Sequence, residues 1–256
     1  MIYKEDVKDL KDYFVSISSK YDELRGKEIL SPLCETLRRL TKKDSKVLDV
    51  ACGTGLFLIP IATEFDLRLF GSDLSSGMLE TAHKKARNKN LRVSFLRADV
   101  HNLPFPDEYF DVLISTNAIH HFDLIKNLKE CARVLRKGGS YIVFSRFREQ
   151  NNRSFWGKNF PKFADKEDRL YNKEEFEGAA EKVEEFNLDD INELSFEKKA
   201  TAEEILAEVA NKKYSTFDLY SDEEFKESLK SFKNWLNGKK DICYISEIGE
   251  VIYRKV

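Results

Sequence analysis

The feature that most constrains the fold is a short apolar run that ends in a carboxylate and two glycines. From Val47 to Gly55 the chain reads VLDVACGTG. Buried parallel strands are such apolar runs, and an open α/β sheet binds its ligand beyond the carboxyl ends of its strands. Glycine lets a ligand approach the backbone and adopts positive φ without steric cost. We therefore expect a ligand site here, which a bulky residue at Gly53 or Gly55 would block; a plain strand-to-helix turn is the alternative.

A second predicted strand, Leu67 to Asp73, also ends in a carboxylate. Asp73 follows Gly53 by 20 residues. At that separation an acidic side chain on the second strand reaches the hydroxyls of a bound ribose. The alternative role for Asp73 is an N-terminal cap for the next helix, which Ser75 and Ser76 could also provide.

The third glycine of a dinucleotide-binding fingerprint is missing, because Leu58 occupies its position. The sequence therefore does not favour a site for a dinucleotide pyrophosphate. The pattern that remains, Asp49-x-x-x-Gly53-x-Gly55 followed by Asp73, resembles the first two motifs of class I S-adenosylmethionine-dependent methyltransferases. Within that family the chain resembles the small-molecule, ubiquinone/menaquinone-methyltransferase-like group.

The resemblance continues over about residues 46–147. Later segments resemble the family's third strand, its turn into the fourth strand, the loop that follows, and the helix, Gly-Gly turn and fifth strand. These segments are, in order, Leu96–Val100, Leu103–Ile114, Ser115–Phe122 and Val134–Phe144.

The resemblance implies S-adenosyl-L-methionine as cofactor and assigns roles to its neighbours. Asp49 would accept from the cofactor's amino group, directly or through water, or would merely terminate its strand. Asp73 would bind the ribose, and Asp99 with Val100 the adenine. The full set of candidate cofactor-binding residues is Tyr21, Arg25, Asp49, Ala51, Gly53, Gly55, Asp73, Leu74, Met78, Asp99, Val100 and Asn117.

A cation for the methionine carboxylate is expected before the first strand. Tyr21 and Arg25 resemble the Tyr-x-x-x-Arg segment of small-molecule members, and a guanidinium pairs bidentately with a carboxylate. Arg25 could equally be a surface residue. Tyr13 and Tyr21 could close over the cofactor or pack the leading helix.

The pair His120-His121 suggests a general base, because the unperturbed pKa of imidazole lies nearest neutrality. In related sequences this loop lines the cofactor's exit and the acceptor pocket. Two adjacent side chains are expected to point in different directions, so we name only His120 as a catalytic candidate. Asn117 is expected to contact the cofactor through its backbone. Methyl transfer itself needs orientation and desolvation rather than a catalytic triad.

Alternating strands and helices predict an α/β fold with a doubly wound, mostly parallel seven-stranded sheet of the Rossmann-like methyltransferase type. We predict a single domain, 1–256, made of an N-terminal helical cover (1–45), a cofactor-binding core (46–147) and a helical insertion plus the last two strands (148–256). Pro60 should kink the first core helix, predicted at 54–64, or delay its start.

The chain after residue 147 is charged and helical. Capping patterns at Asn172, Thr201 and Ser221 predict helices at 173–185, 202–212 and 222–237. Alternation with period two predicts strands at 191–197 and 248–254, the last antiparallel to the others. The insertion before the last strand either selects the acceptor or is a packed lid that excludes water.

The composition limits the classes of partner that the chain is expected to bind. Lys plus Arg number 43 against 45 Asp plus Glu, a net charge of −2, so no broad positive field favours nucleic acid. The spacing of the four cysteines and four histidines predicts reduced thiols and no metal site. No apolar run approaches membrane-span length and the start is not a secretion signal, so a cytoplasmic protein that contacts no membrane is expected. The oligomeric state stays open.

Three functions compete with a methyltransferase that acts on a small organic acceptor at oxygen, nitrogen or carbon. One is a tRNA methyltransferase acting on a wobble-uridine side chain, since some such enzymes carry a similar Ile-His-His segment. The second is a catalytically inactive S-adenosylmethionine-binding protein. The third, a nicotinamide oxidoreductase, is disfavoured by Leu58.

Overall fold

The computed structural model describes Asp22 and residues 28–256. The predicted N-terminal helical region therefore lies largely outside the described residues. The strands are β1 (Lys46–Val50), β2 (Arg68–Asp73), β3 (Val93–Arg97), β4 (Phe110–Thr116), β5 (Leu135–Ser145), β6 (Phe186–Thr201) and β7 (Asp241–Lys255). The α-helices are α1 (Leu30–Leu40), α2 (Leu58–Glu64), α3 (Ser76–Asn88), α4 (Leu124–Val134), α5 (Arg148–Arg153), α6 (Phe155–Asn159), α7 (Phe163–Lys166), α8 (Lys173–Lys182), α9 (Ala202–Ala210) and α10 (Asp222–Leu236).

The strands form one seven-stranded sheet in the order β3-β2-β1-β4-β5-β7-β6. The pairs among β1 to β5 are parallel, whereas β7 runs antiparallel to both of its neighbours. The predicted doubly wound, mostly parallel sheet with an antiparallel last strand is therefore confirmed. Strand order reverses between β1 and β4, which places the ligand crevice of such a sheet at the carboxyl ends of these two strands.

The central strands are buried on both faces because their side chains alternate between two apolar layers. In β4, Leu113 faces one layer, where it joins the buried side chains of α4 and α8. Val112 and Ile114 face the other layer, which is covered by α1 and α2. This continuous apolar character explains why the core strands were predictable from short apolar runs.

Helix α1 packs a face with buried leucines against the sheet. Leu33 and Leu37 are fully buried. The Thr36 hydroxyl donates a hydrogen bond of 2.6 Å to the buried carboxylate of Glu250 on β7. This bond joins the helix to the last strand of the chain. The described part of the N-terminal cover thus lies on a sheet face.

Helix α2 begins later than the predicted residue 54, at Leu58. Pro60 therefore falls in the first turn, where its missing N–H would have had no helical acceptor. The predicted delay of the helix start by Pro60 is confirmed. The capping boxes at Asn172, Thr201 and Ser221 are confirmed as well.

Strands β6 and β7 are much longer than their predicted ranges. They pair with each other from Thr201↔Asp241 to Phe186↔Lys255, whereas β5 joins β7 only from Gly249 onward. Residues 241–248 of β7 pair only with β6. This two-stranded ribbon carries α9 and α10 at its tip. Within the ribbon, Lys199 and Cys243 are exposed, whereas Ile242 is buried in the core of the insertion.

The insertion has its own core. Helices α6 and α7, which the sequence did not predict, pack with α9 and α10 around buried aromatic side chains, among them Trp156, Phe160, Phe217 and Phe232. Glu167 links this layer: it accepts hydrogen bonds from Arg169 at 2.8 and 2.7 Å and from Thr216 at 2.6 Å. The insertion is therefore an ordered, packed layer at the end of the ribbon.

Within the described part of the chain, no helix has the length and apolar character needed to cross a membrane. The same residues contain no cluster of three or more His, Cys, Asp or Glu side chains suited to a metal ion. All four cysteines are unpaired thiols.

Candidate functional site

The carboxyl ends of β1 and β4 are both followed by a residue in the left-handed conformation. Ala51 has φ 60° and Asn117 has φ 54°. For alanine this region costs roughly 1–2 kcal/mol, so Ala51 is a site of local strain, whereas asparagine tolerates it. The Asn117 N–H donates to the Phe144 carbonyl at 2.8 Å. Both left-handed turns lie at the strand-order switch, where an α/β sheet binds its ligand.

The two glycines after β1 are needed for different reasons. Both have positive φ, 53° at Gly53 and 70° at Gly55. Among the described residues, no atom lies within 4 Å of a Cβ built on Gly53, so this part of the chain leaves the position open to a ligand. A Cβ on Gly55 would approach Ile59 Cγ1 at 3.2 Å and Ala82 Cβ at 3.4 Å. The expectation that a side chain at either would block the pocket therefore fits Gly53, whereas Gly55 is required by helix packing.

Asp73 lies at the end of β2 and holds the glycine turn. Its Oδ2 accepts from the Gly53 N–H at 2.8 Å, and its Oδ1 accepts from the Ser75 N–H at 2.8 Å. Burial raises the pKa of Asp73, and the backbone hydrogen bonds from Ser75 and Gly53 offset part of that rise. The helix cap is Ser75, whose hydroxyl accepts from the Met78 N–H. Asp73 therefore retains lone pairs for a ligand hydroxyl.

Asp49 is the most unusual carboxylate of the site. It is 1% exposed, and its Oδ1 is buried without a hydrogen-bond partner among the described residues. Burial raises its pKa well above the usual range, and the nearby charge of Asp73 raises it further. Buried polar groups are almost always paired, so an unpartnered carboxylate needs a cause outside the described chain. A bound cation with N–H donors would supply one.

Asp99, after β3, is exposed and belongs to a local turn. Its Oδ1 accepts from the His101 backbone N–H at 2.9 Å and lies 3.0 Å from His101 Nδ1. His101 Nε2 accepts from the Asp123 N–H, so the proton of the neutral ring is on Nδ1. The neighbouring Val100 is buried. The Asp99 carboxylate is thus oriented by His101, a partner that the sequence analysis did not identify.

The remaining candidates on the second strand-to-helix connection differ in exposure. Met78 is 2% exposed within α3, whereas Leu74 is half-buried and its carbonyl accepts from Arg97 Nε at 3.0 Å. A fully buried Met78 contributes packing beneath the turn rather than an exposed contact.

Asp22 is the single described residue of the segment that precedes residue 28. Its carboxylate accepts from the Thr54 hydroxyl, between the two glycines, and from the Lys85 ammonium on α3. The chain at position 22 therefore touches the glycine turn. Tyr21 and Arg25, which were assigned to the cofactor, lie outside the described residues, as does Tyr13.

His120 and His121 form a short 3₁₀ helix, Ile119–His121, after β4. Their ring centroids are 4.1 Å apart, and both side chains line one cleft. The expectation that adjacent side chains cannot face the same way is therefore wrong here. The tighter turn of a 3₁₀ helix and the contact between the rings bring both imidazoles to one surface.

The cleft opens at the carboxyl ends of β4 and β5. It encloses about 1000 Å³, including open solvent at its mouth. Its walls come from the ends of β4 and β5, the β6–β7 ribbon and the helical insertion. The lining residues are Glu28, Ile29, Asn117, His120, His121, Ser145, Arg146, Asn151, Phe163, Glu167, Leu170, Phe196, Lys213, Tyr214, Ser215, Thr216, Ser246, Glu247 and Ile248.

Most of these lining residues were missed by the sequence analysis. Asn117 and His120 were identified, but the insertion residues such as Thr216 carry no motif. Arg146 could have been found, because it directly follows β5 and so lies at the same sheet edge as the other ligand turns. The cleft therefore opens at the edge where Gly53 and Asp73 lie.

Comparison with known proteins agrees with this geometry. A family model described as "Methyltransferase domain" matches residues 47–139. The chain is 37% identical over 118 residues to "Probable tRNA methyltransferase 9B" of Mus musculus, covering 44% of this chain and 24% of that protein. It is 31% identical over 161 residues to "Ubiquinone/menaquinone biosynthesis C-methyltransferase UbiE" of Rickettsia massiliae, covering 57% of this chain and 65% of that protein.

Solved structures share the fold over most of the chain. The crystal structure of the [4+2]-cyclase SpnF superposes with a TM-score of 0.65 at 17% identity, covering 96% of this chain and 94% of that one. At such identity the likeness concerns the fold alone. The chain spans less than two thirds of the length of the two curated relatives above. The sheet topology, the matched segment and these relatives together establish that the chain contains a class I S-adenosylmethionine-dependent methyltransferase domain.

Proposed function

We propose that the protein is an S-adenosyl-L-methionine-dependent methyltransferase that transfers a methyl group to a small organic acceptor. The observation that carries this proposal is the unpartnered, buried carboxylate of Asp49 beside the open Gly53 turn. The ammonium group of the cofactor offers the N–H donors that Asp49 lacks. The likeness to the quinone C-methyltransferase supports a small acceptor.

The residues of the turn fit such a cofactor. Asp49 would accept from the ammonium group, Asp73 would accept from ribose hydroxyls with its remaining lone pairs, and Asp99 with Val100 would border the adenine. The absence of a side chain at Gly53 leaves room for close backbone approach. Tyr21 and Arg25 remain the proposed partners of the methionine carboxylate.

Catalysis in this site would rest on placement. When bound, the cofactor supplies a methyl group on a positively charged leaving group. The chain orients the acceptor in line with that methyl group and excludes water, and such positioning accelerates a reaction by several kcal/mol without a proton relay. His120 and His121 line the acceptor cleft, so we assign His120 to contact with the acceptor.

The insertion completes the acceptor pocket in this proposal. Thr216, Leu170 and Phe163 line the cleft and come from the region between β5 and β7. We therefore propose one domain over 1–256, in which 46–147 binds the cofactor and 148–256 selects the acceptor. The unpaired cysteines are typical of a reducing compartment, so we place the activity in the cytoplasm.

Methylation of a tRNA wobble-uridine side chain is a second candidate, favoured by the likeness to the mouse protein. The balanced charge of this chain argues against it, because tRNA binding relies on Lys and Arg contacts to phosphates. Binding of tRNA that weakens steeply with salt would favour this candidate over the small acceptor.

The proposal is tested by calorimetry with S-adenosylhomocysteine. The wild-type protein should bind it, and Asp73→Ala should bind at least tenfold more weakly, since hydrogen bonds to a charged acceptor contribute about 1.5–3 kcal/mol. His120→Ala is the control and should change the affinity less than twofold. A folded wild-type protein that shows no binding, or that binds NAD instead, would overturn the proposal.

An inactive binding protein is distinguished by turnover. We expect transfer of a labelled methyl group from S-adenosylmethionine into a metabolite extract. A protein that binds the cofactor product tightly yet transfers no label to any extract would be a sensor rather than an enzyme.

A further inference from the structure

The charged side chains that line the acceptor cleft are nearly all neutralised by ion pairs. Glu28 pairs with Lys198 at 3.1 Å, Glu167 with Arg169 at 2.7 Å and Glu247 with Arg153 at 2.7 Å. The lining cation Lys213 pairs with Glu208. These pairs leave little net charge for a ligand to meet at those positions.

Arg146 is the exception. Within the described chain, no carboxylate oxygen lies within 4.0 Å of its guanidinium, and its hydrogen bonds are long: 3.3 Å from Nε to the Glu247 carbonyl and 3.5 Å from Nη2 to the Ser246 hydroxyl. The guanidinium also lies 5.8 Å from the ring centroid of Tyr214, another wall of the cleft. Arg146 is half-buried, and most of its five N–H donors have no acceptor among the described residues.

A second donor lies in the same wall. Asn151 is 2% exposed and lines the cleft, and its Nδ2 is buried without a hydrogen-bond partner among the described residues. An unpaired buried donor and an unpaired guanidinium in one cleft both lack the same kind of group, an oxygen acceptor.

We propose that Arg146, assisted by Asn151, binds an anionic oxygen group of the methyl acceptor, a carboxylate or a phosphate. This inference rests on the proposed function, because it takes the cleft as the acceptor site. Arg146 follows the carboxyl end of β5, whereas Asn117 and His120 follow β4, which lies between β1 and β5, so the anion is held one strand farther from the cofactor turn than the β4 residues. The acceptor is therefore a small organic anion whose reacting atom lies away from its charged end.

The arrangement disfavours two other ligands. A neutral acceptor would cover the Arg146 charge without giving it a partner, and desolvating an unpaired charge is costly. A polyanion such as tRNA requires many cations along an exposed surface, whereas the other Lys or Arg of this cleft, Lys213, is already paired.

The test uses the full-length protein saturated with S-adenosylhomocysteine and three probes: benzoate, phenyl phosphate and the neutral isostere benzamide. Calorimetry on the wild type should show both anions binding at least tenfold more tightly than benzamide. Arg146→Gln should lose at least tenfold in affinity for both anions, and Arg146→Lys should retain part of it because it keeps the charge without the planar fork.

The matched control is Arg148→Gln, which removes a guanidinium two residues away that pairs with Glu175 and does not line the cleft. It should change anion affinity less than twofold. Equal binding of benzoate and benzamide to the wild type would overturn the inference without any variant. So would an Arg146→Gln variant that loses S-adenosylhomocysteine or tRNA binding while its benzoate affinity is unchanged.

Failure of the proposed function has a different signature. A wild-type protein that does not bind S-adenosylhomocysteine, but still prefers benzoate to benzamide through Arg146, would refute the methyltransferase proposal and leave an anion site in place.

Discussion

Replacing Asp49 by Asn should stabilise the ligand-free protein and weaken its cofactor binding. The Asp49 carboxylate is 1% exposed and has an oxygen without a partner, so its charged form is disfavoured in the folded state. Asn has nearly the same shape but carries no charge to desolvate. A buried polar group without a partner costs about 1–3 kcal/mol, and a charged group costs more.

The dependence of stability on pH determines the sign and size of the expected difference between Asp49→Asn and the wild type. Burial raises the folded-state pKa of Asp49 well above its ordinary value of 3.8. Below 3.8 both folded and unfolded states hold the proton, so the penalty is absent. As pH rises further, the unfolded chain releases its proton while the folded protein retains it. The wild type therefore loses about 1.4 kcal/mol of stability per pH unit relative to Asp49→Asn, until the folded-state pKa is passed.

Urea unfolding at pH 4, 5.5 and 7 measures this difference, because the titration of groups that do not interact with Asp49 is common to both proteins and cancels. Asp168→Asn is the matched control, since Asp168 is an exposed carboxylate outside the cleft, and its stability should follow the wild type at every pH. At pH 7 we expect Asp49→Asn to be more stable by about 1–3 kcal/mol.

Binding must change in the opposite direction. Loss of a charge-assisted hydrogen bond, about 1.5–3 kcal/mol, should weaken S-adenosylhomocysteine binding by at least tenfold. An Asn variant that is less stable than the wild type at every pH would refute the reasoning, as would a stability difference that does not change with pH.

Two further substitutions separate binding from stability. Gly53→Ala should cost only about 1 kcal/mol of stability, because its Cβ meets no atom of the residues that the structure describes. It should nevertheless weaken S-adenosylhomocysteine binding at least tenfold by filling the open turn, and wild-type affinity by calorimetry would contradict this role. Thr36→Val removes the 2.6 Å hydrogen bond to Glu250 and should cost about 1–3 kcal/mol in urea unfolding with cofactor affinity unchanged; an undiminished unfolding midpoint would show that this bond contributes nothing.

The cofactor side of the fold could be predicted because its signals are local. A strand, a carboxylate and a glycine turn lie within a few residues, and the spacing from Gly53 to Asp73 is set by one helix between two adjacent strands. The structure brings these two residues into direct contact at 2.8 Å. The strain at Ala51 could not be predicted, because a left-handed alanine leaves no mark in the sequence.

The length of β6 and β7 could not be predicted for a different reason. Lys198 and Lys199 are charged neighbours that do not resemble a buried strand, yet they pair with Tyr244 and Cys243 across the ribbon. Pairing with β7 holds these two residues in a strand although their side chains do not favour one. Tertiary pairing therefore overrides the local pattern.

The acceptor cleft is the least local part of the molecule. Asn117, Arg146 and Thr216 are separated by about 30 and 70 residues along the chain and meet only because β4, β5 and the insertion share one edge of the sheet. Arg146 and Thr216 carry no motif, and the significance of Arg146 lies in what its neighbours do not provide, since the surrounding carboxylates are engaged by other cations. The proposed recognition of an anionic acceptor therefore depends on the ion pairs that form only after folding, because they leave Arg146 as the lining cation without a carboxylate partner among the described residues.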